Sequence, residues 1–124
     1  MGTPRFIPAR LFAEARDFGR NSLAEPLSPS VLPPVEAAWA WYQHRACLMT
    51  FDQLYYRGLS VGDFAEGLGA DVAWTVRKFH GQTPASLGDL LEWSMYLGVS
   101  VFPTVGSVAD LLVPGGGSSW LHAG

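Results

Sequence analysis

A chain of 124 residues with 48% hydrophobic content is about one domain's worth and is apolar enough for a single packed core. The net charge of −3 excludes a protein that coats nucleic acid with a generally basic surface, so any such affinity must come from a local patch. One cysteine, Cys47, excludes an intramolecular disulfide and a thiolate metal cluster; with no run of 18 apolar residues and no apolar leader segment, the expectation is a cytoplasmic chain that neither crosses a membrane nor is secreted.

Residues 1–34 hold six of the nine prolines and scattered arginines, Arg5, Arg10, Arg16 and Arg20. Each proline restricts the residue before it to extended backbone, so this Pro-rich stretch is expected to be an N-terminal arm, a linker or a wrapping segment, with a short helix possible only between Pro8 and Phe18. Residues 35–57 are free of Pro and Gly, and Leu48, Phe51, Leu54 and Tyr55 recur along one helical face. Gly58 stops that helix. At about 1.5 Å per residue it is roughly 35 Å long, more than a small bundle needs. Its aromatic first half, Trp39, Trp41 and Tyr42, is therefore expected to meet something else.

Ser60 and Asp63 have the spacing of a capping box for a second helix with Val61, Phe64, Ala65 and Leu68 on its apolar stripe. Gly69 ends it. Asp71 caps a third helix running through His80, in which Ala73, Val76 and Phe79 face one way and Arg77 and Lys78 point elsewhere, with Val76 and Phe79 expected to anchor it in the core. After a turn, GQTPA, Ser86 and Asp89 repeat the capping signature for a fourth helix, whose expected buried face is Leu87, Leu90, Leu91, Met95 and Leu97, with Gly98 as its stop. Residues 107–113 can form a last turn or two, and residues 114–124 read as a flexible tail. The domain is thus expected over residues 35–113.

Taken together, helix, Gly-Leu-Ser, short helix, Leu-Gly-x-Asp, short helix, Pro turn and a Leu-rich helix ending in Leu-Gly-Val resemble the lambda-repressor-like (Cro-type, XRE-like) helix-turn-helix family. The resemblance covers residues 51–101 and rests on GLSVGDFAEGLGADVAWTVRKFHGQTPASLGDLLEWSMYLGVSV. It implies an all-α bundle of four to five helices in which small Ala65 lets two helices cross closely and Gly69 allows the tight turn. It also implies a DNA-binding transcription regulator whose helix from Asp71 to His80 enters the major groove. Base contacts would then come from Val72, Ala73 and Thr75, with Trp74 beside them; Arg77 and Lys78 would reach phosphate or base edges, and Gln82 and Thr83 phosphate.

A single recognition helix touches few bases, so a homodimer spanning half-sites about 34 Å apart is expected. The pairing elements would be residues 35–43 and 99–113. A second function class stays open beside DNA binding, because Val61 stands where the family commonly has Gln, Asp71 brings negative charge to the helix start, and Val72 and Ala73 donate no hydrogen bond to a base. That alternative is a protein-interaction module on the same fold. A positive face through Arg77, Lys78 and Arg57 or Arg45 would favour DNA, and an acidic or apolar face a protein partner. His44, His80 and His122 lack metal-ligand spacing, and no nucleophile-base pair, phosphate loop or paired catalytic carboxylate is present, so neither an enzyme nor a cofactor is expected.

Overall fold

The computed structural model describes residues 6–25, 27 and 34–104. The described residues form an all-helical architecture of four α-helices, preceded by two short 3-10 turns, Pro8–Leu11 and Ala15–Asp17. The expected turn at residues 107–113, the tail and most of the second pairing segment lie outside them.

Helix α1, Pro34–Arg57, is the longest of the four helices, at 24 residues. Helices α2, Val61–Leu68, and α3, Val72–Phe79, are each two turns long and joined by three residues. Their ends follow from side-chain chemistry. Ser60 accepts from the Asp63 N–H while Asp63 returns a bond to the Ser60 N–H, which satisfies two donors that a helix start leaves open. Gly69 closes α2 in the left-handed region, at φ 71°, where a side chain would be strained. Helix α4, Leu87–Leu97, repeats the device with Ser86, Asp89 and Gly98.

Phe79, at the end of α3, joins three helices. Its ring stacks on Trp93 of α4 at 4.8 Å and meets Phe51 of α1 and Phe64 of α2 edge-on at 5.0 and 6.2 Å. Ala65 is fully buried, in keeping with a close approach of α2. The inner face of α4 differs from expectation: Leu90, Trp93 and Leu97 are buried, whereas Leu87, Leu91 and Met95 are 61%, 47% and 80% exposed. Apolar residues on α4 outnumber the positions that face the core, and the Trp93 ring claims the place against Phe79.

The N-terminal arm, residues 6–25, is part of the core. Phe12 stacks on Trp41 at 5.1 Å and meets Phe18 edge-on at 5.5 Å, and both Phe rings lie against His44. Two backbone bonds fold the arm on itself, from the Ala13 N–H to the Glu25 carbonyl and from the Leu27 N–H to the Leu11 carbonyl. What the aromatic half of α1 meets is therefore this arm: Trp41 is buried, and Trp39 stacks on Tyr42 with both half-buried. Trp41 is thus covered within the chain, whereas Trp39 and Tyr42 keep part of their surface exposed.

Candidate nucleic-acid interface

The outer side of α3 is set by how its first turn is closed. The Asp71 carboxylate accepts from the Trp74 N–H at 2.9 Å. Val72, Ala73, Trp74 and Arg77 are left exposed, Val72 at 39% and Trp74 at 43%. The Arg77 guanidinium lies 5.4 Å from the centre of the Trp74 ring, a cation-π pair across one helical turn. This surface offers methyl and indole contact plus one oriented charge.

Three of the other residues expected at the interface are turned away from it. Thr75 is buried, and its hydroxyl donates to the Asp71 carbonyl one turn back, so it is removed from the exposed side of α3. Thr83 is also buried, its carbonyl accepting from Gln43. Lys78 reaches the Asp89 carboxylate at 2.8 Å with both side chains about four-fifths covered. Burial works to raise the Asp89 carboxyl, and the Lys78 ammonium together with the Ser86 bonds outweighs it, holding the group below its ordinary value. Lys78 thus spends its charge on the cap of α4. Gln82 is exposed beyond the far end of α3.

Arg45 and Arg57, the candidates for extending a cationic face beyond Arg77 and Lys78, lie away from α3. Arg45 is buried with its guanidinium 5.6 Å from the Trp41 ring, and Arg57 donates to the Leu97 carbonyl at the other end of α1. Positive charge comes instead from the arm. The Ala9 N–H donates to the Gly81 carbonyl at 2.9 Å, fixing the arm to the turn that follows α3. Gly81 is required there: at φ +70° a Cβ would lie 2.7 Å from the Phe18 ring and 2.9 Å from Ala9. Arg20 then reaches His80 at 3.4 Å while its guanidinium lies 4.9 Å from the centre of the Phe51 ring. Burial, and after it the Arg20 charge, pushes the His80 imidazole below its ordinary value.

Between the arm and this turn opens a cleft of about 440 Å³, bordered by Arg10, Arg16, His80 and Gln82 together with Ile7, Ala9 and Ala15. A second cleft, about 410 Å³, lies between α3 and the start of α4 and includes Asp71, Trp74, Lys78 and Asp89. With two carboxylates against one paired ammonium, the second is unsuited to an anion.

Gln43 holds the whole end of α3 in place. Fully buried on α1, its amide N–H groups donate to the Lys78 and Thr83 carbonyls at 2.9 and 3.1 Å, and its oxygen accepts from the Ala85 N–H at 2.8 Å. Sequence reasoning missed Gln43 and the three arm arginines. Nothing local marks Gln43, since its partners lie 35 to 42 residues away. Among the described residues no group of three or more His, Cys, Asp and Glu side chains could hold a metal ion, and no helix is long and apolar enough to cross a membrane. Burial pushes the Cys47 thiol up, away from nucleophilic use.

No protein-family model, no curated protein and no solved structure matches this chain.

Proposed function

We propose that the protein is a DNA-binding transcription regulator in which α2, the three-residue turn and α3 act as a helix-turn-helix, with α3 as the recognition helix. One observation carries the reading. In a chain of net charge −3, five cationic side chains are exposed among the described residues, and four of them, Arg10, Arg16, Arg20 and Arg77, gather along α3 and at its C-terminal end. A local concentration of guanidinium groups beside an exposed two-turn helix is the electrostatic footprint that sequence-specific binding needs, despite an acidic total. Val72 and Ala73 suit thymine methyl groups, and Arg77, braced by Trp74, suits a phosphate or a guanine edge.

Binding as a homodimer fits this role. Leu87, Leu91 and Met95, spaced four residues apart on the exposed side of α4, form an apolar stripe of the kind that marks an interface. The same stripe favours the second reading, in which the fold serves to hold a protein partner and α3 touches no DNA. Selection of bound duplexes from a random pool separates the two. Enrichment of a palindrome supports a dimeric regulator; a pool that stays random after repeated selection overturns DNA reading and leaves the α4 stripe as the functional surface.

A further inference from the structure

We propose that the cleft between the arm and the turn after α3 is a phosphate-binding site, and that the phosphate it takes is one of the DNA backbone beside the groove that α3 enters. The inference rests on the DNA-binding role above and adds to it a second contact surface, on a part of the chain that the helix-turn-helix does not include.

The chemistry of the wall comes first. Its charged groups are the guanidiniums of Arg10 and Arg16, its neutral donors are the Gln82 amide and the His80 ring, and no carboxylate borders it. Both arginines are exposed, so neither charge is consumed by burial. The nearest competing anion to Arg16 is Glu14 at 3.8 Å, with the two side chains 87% and 64% exposed, an ion pair worth little in water. Planar guanidinium groups match the oxygens of a phosphate in pairs, which a lysine does not. The volume suffices for a phosphate with its flanking sugars, and the site is open to solvent as a backbone contact requires.

Position supplies the second argument. Ala73, Arg77 and His80 follow one another at helical spacing of four and three residues, so the exposed line of α3 runs directly to the border of the cleft. A duplex lying along Ala73 and Arg77 therefore continues over His80 toward Arg10 and Arg16. The cleft is also held open before any ligand arrives. The Ala9–Gly81 backbone bond, the absence of room for a Cβ at Gly81, and the bond from the Gly19 N–H to His44 Nδ1 fix the arm on both sides of Arg10 and Arg16. Contacts arranged in advance cost little ordering on binding.

The test is fluorescence anisotropy of the full chain on a labelled duplex over a series of salt concentrations, comparing the parent with the double variant Arg10→Ala/Arg16→Ala. Two lost phosphate contacts should make the slope of log affinity against log salt shallower by about 1.8, at about 0.9 per contact, and should weaken selected and random duplexes in parallel. Arg10→Lys/Arg16→Lys should keep most of the slope, and Arg57→Ala, which removes an exposed charge remote from the cleft, should leave it unchanged. A parent that binds while the double Ala variant keeps the same affinity and slope overturns the inference and leaves the function reading intact. A parent that binds no duplex at any salt overturns the function reading. In that case pyrophosphate, titrated while the Gln82 side-chain amide is followed by NMR, decides what remains. A saturable shift that the double variant lacks moves the site from backbone to a free phosphorylated ligand, and no shift overturns the phosphate site altogether.

Discussion

Residues 60–98 and residues 6–25 approach the same core from two sides and are secured differently. In the first region each helix start is closed by its own cap, Ser60 with Asp63, Asp71 with Trp74, Ser86 with Asp89, and two helices end at left-handed glycines. Partners there lie three or four residues apart. The arm has only isolated turns of its own, and its anchors are distant: Ala9 on Gly81, Gly19 on His44, and two Phe rings on Trp41 and His44. A region with local closure keeps its helical tendency when tertiary contacts weaken, while the arm keeps only short turns and the Ala13–Glu25 and Leu27–Leu11 bonds. The lesson is that the arginines of the proposed phosphate cleft stand on the part of the molecule whose order depends most on docking.

The largest effect should come from Phe18→Ala, which empties a buried site between Phe12, His44 and Gly81. A loss of about 3–5 kcal/mol is expected by denaturant titration. Hydrogen exchange should show arm amides such as Ala9 and Gly19 losing protection well before the cap amides of Asp63 and Asp89. Equal loss in both regions would break the comparison.

Acid should separate the two regions by pH. Burial, and then the Arg45 charge, lowers the His44 imidazole to about 4, against the weaker opposing influence of the Asn21 backbone. Because the unfolded chain takes up this proton near the ordinary value of 6.5 and the folded one does not, the stability His44 carries is full above that value and declines as pH falls toward 4. The decline amounts to at most about 3.5 kcal/mol, from about 1.4 kcal/mol per unit. The Asp63 and Asp89 carboxyls, both held below 3.8, lose their contribution only at lower pH. Thermal melts across this range, with Trp41 emission as the arm probe, should therefore show the arm loosening first; a flat profile between pH 7 and 4 would refute the placement of His44 beneath the arm.

The smallest effect sharpens the comparison from the other side. Ser60→Ala removes one partner of a capping box and should cost about 1 kcal/mol. Protection should fall at the start of α2 and stay unchanged in the arm. Loss of arm protection in this variant would show that the two regions open as one.

These differences in anchoring explain what could be read from the chain. The caps at Ser60, Asp71 and Ser86 and the stops at Gly69 and Gly98 were legible because each is a relation among residues three or four apart. So was the exposure of Val72 and Arg77, whereas Ala73, grouped by helical spacing with Val76 and Phe79, stands exposed apart from the buried Phe79. Thr75 and Lys78 were not, since the first spends its hydroxyl on its own helix and the second finds its partner in the cap of α4, a meeting only the fold creates. The buried side of α4 was misjudged because Leu87, Leu91 and Met95 satisfy helical spacing as well as Leu90 and Leu97 do. Least legible was the arm. Proline spacing announces extended backbone and says nothing of the ring of Phe12 stacking on Trp41, so Arg10, Arg16 and Arg20 read as linker charges.

The link between Arg20 and His80 spans 60 residues of chain. During synthesis the arm therefore leaves the ribosome before the turn after α3 exists, and at about 5–20 residues per second that turn follows roughly 3–12 s later. Phe12 and Phe18 lack the rings they pack on until Trp41 and His44 have been made, earlier in that interval. The contacts of the arm can therefore close only in chain order, the Phe12 and Phe18 rings on α1 first and the Ala9–Gly81 and Arg20–His80 links last.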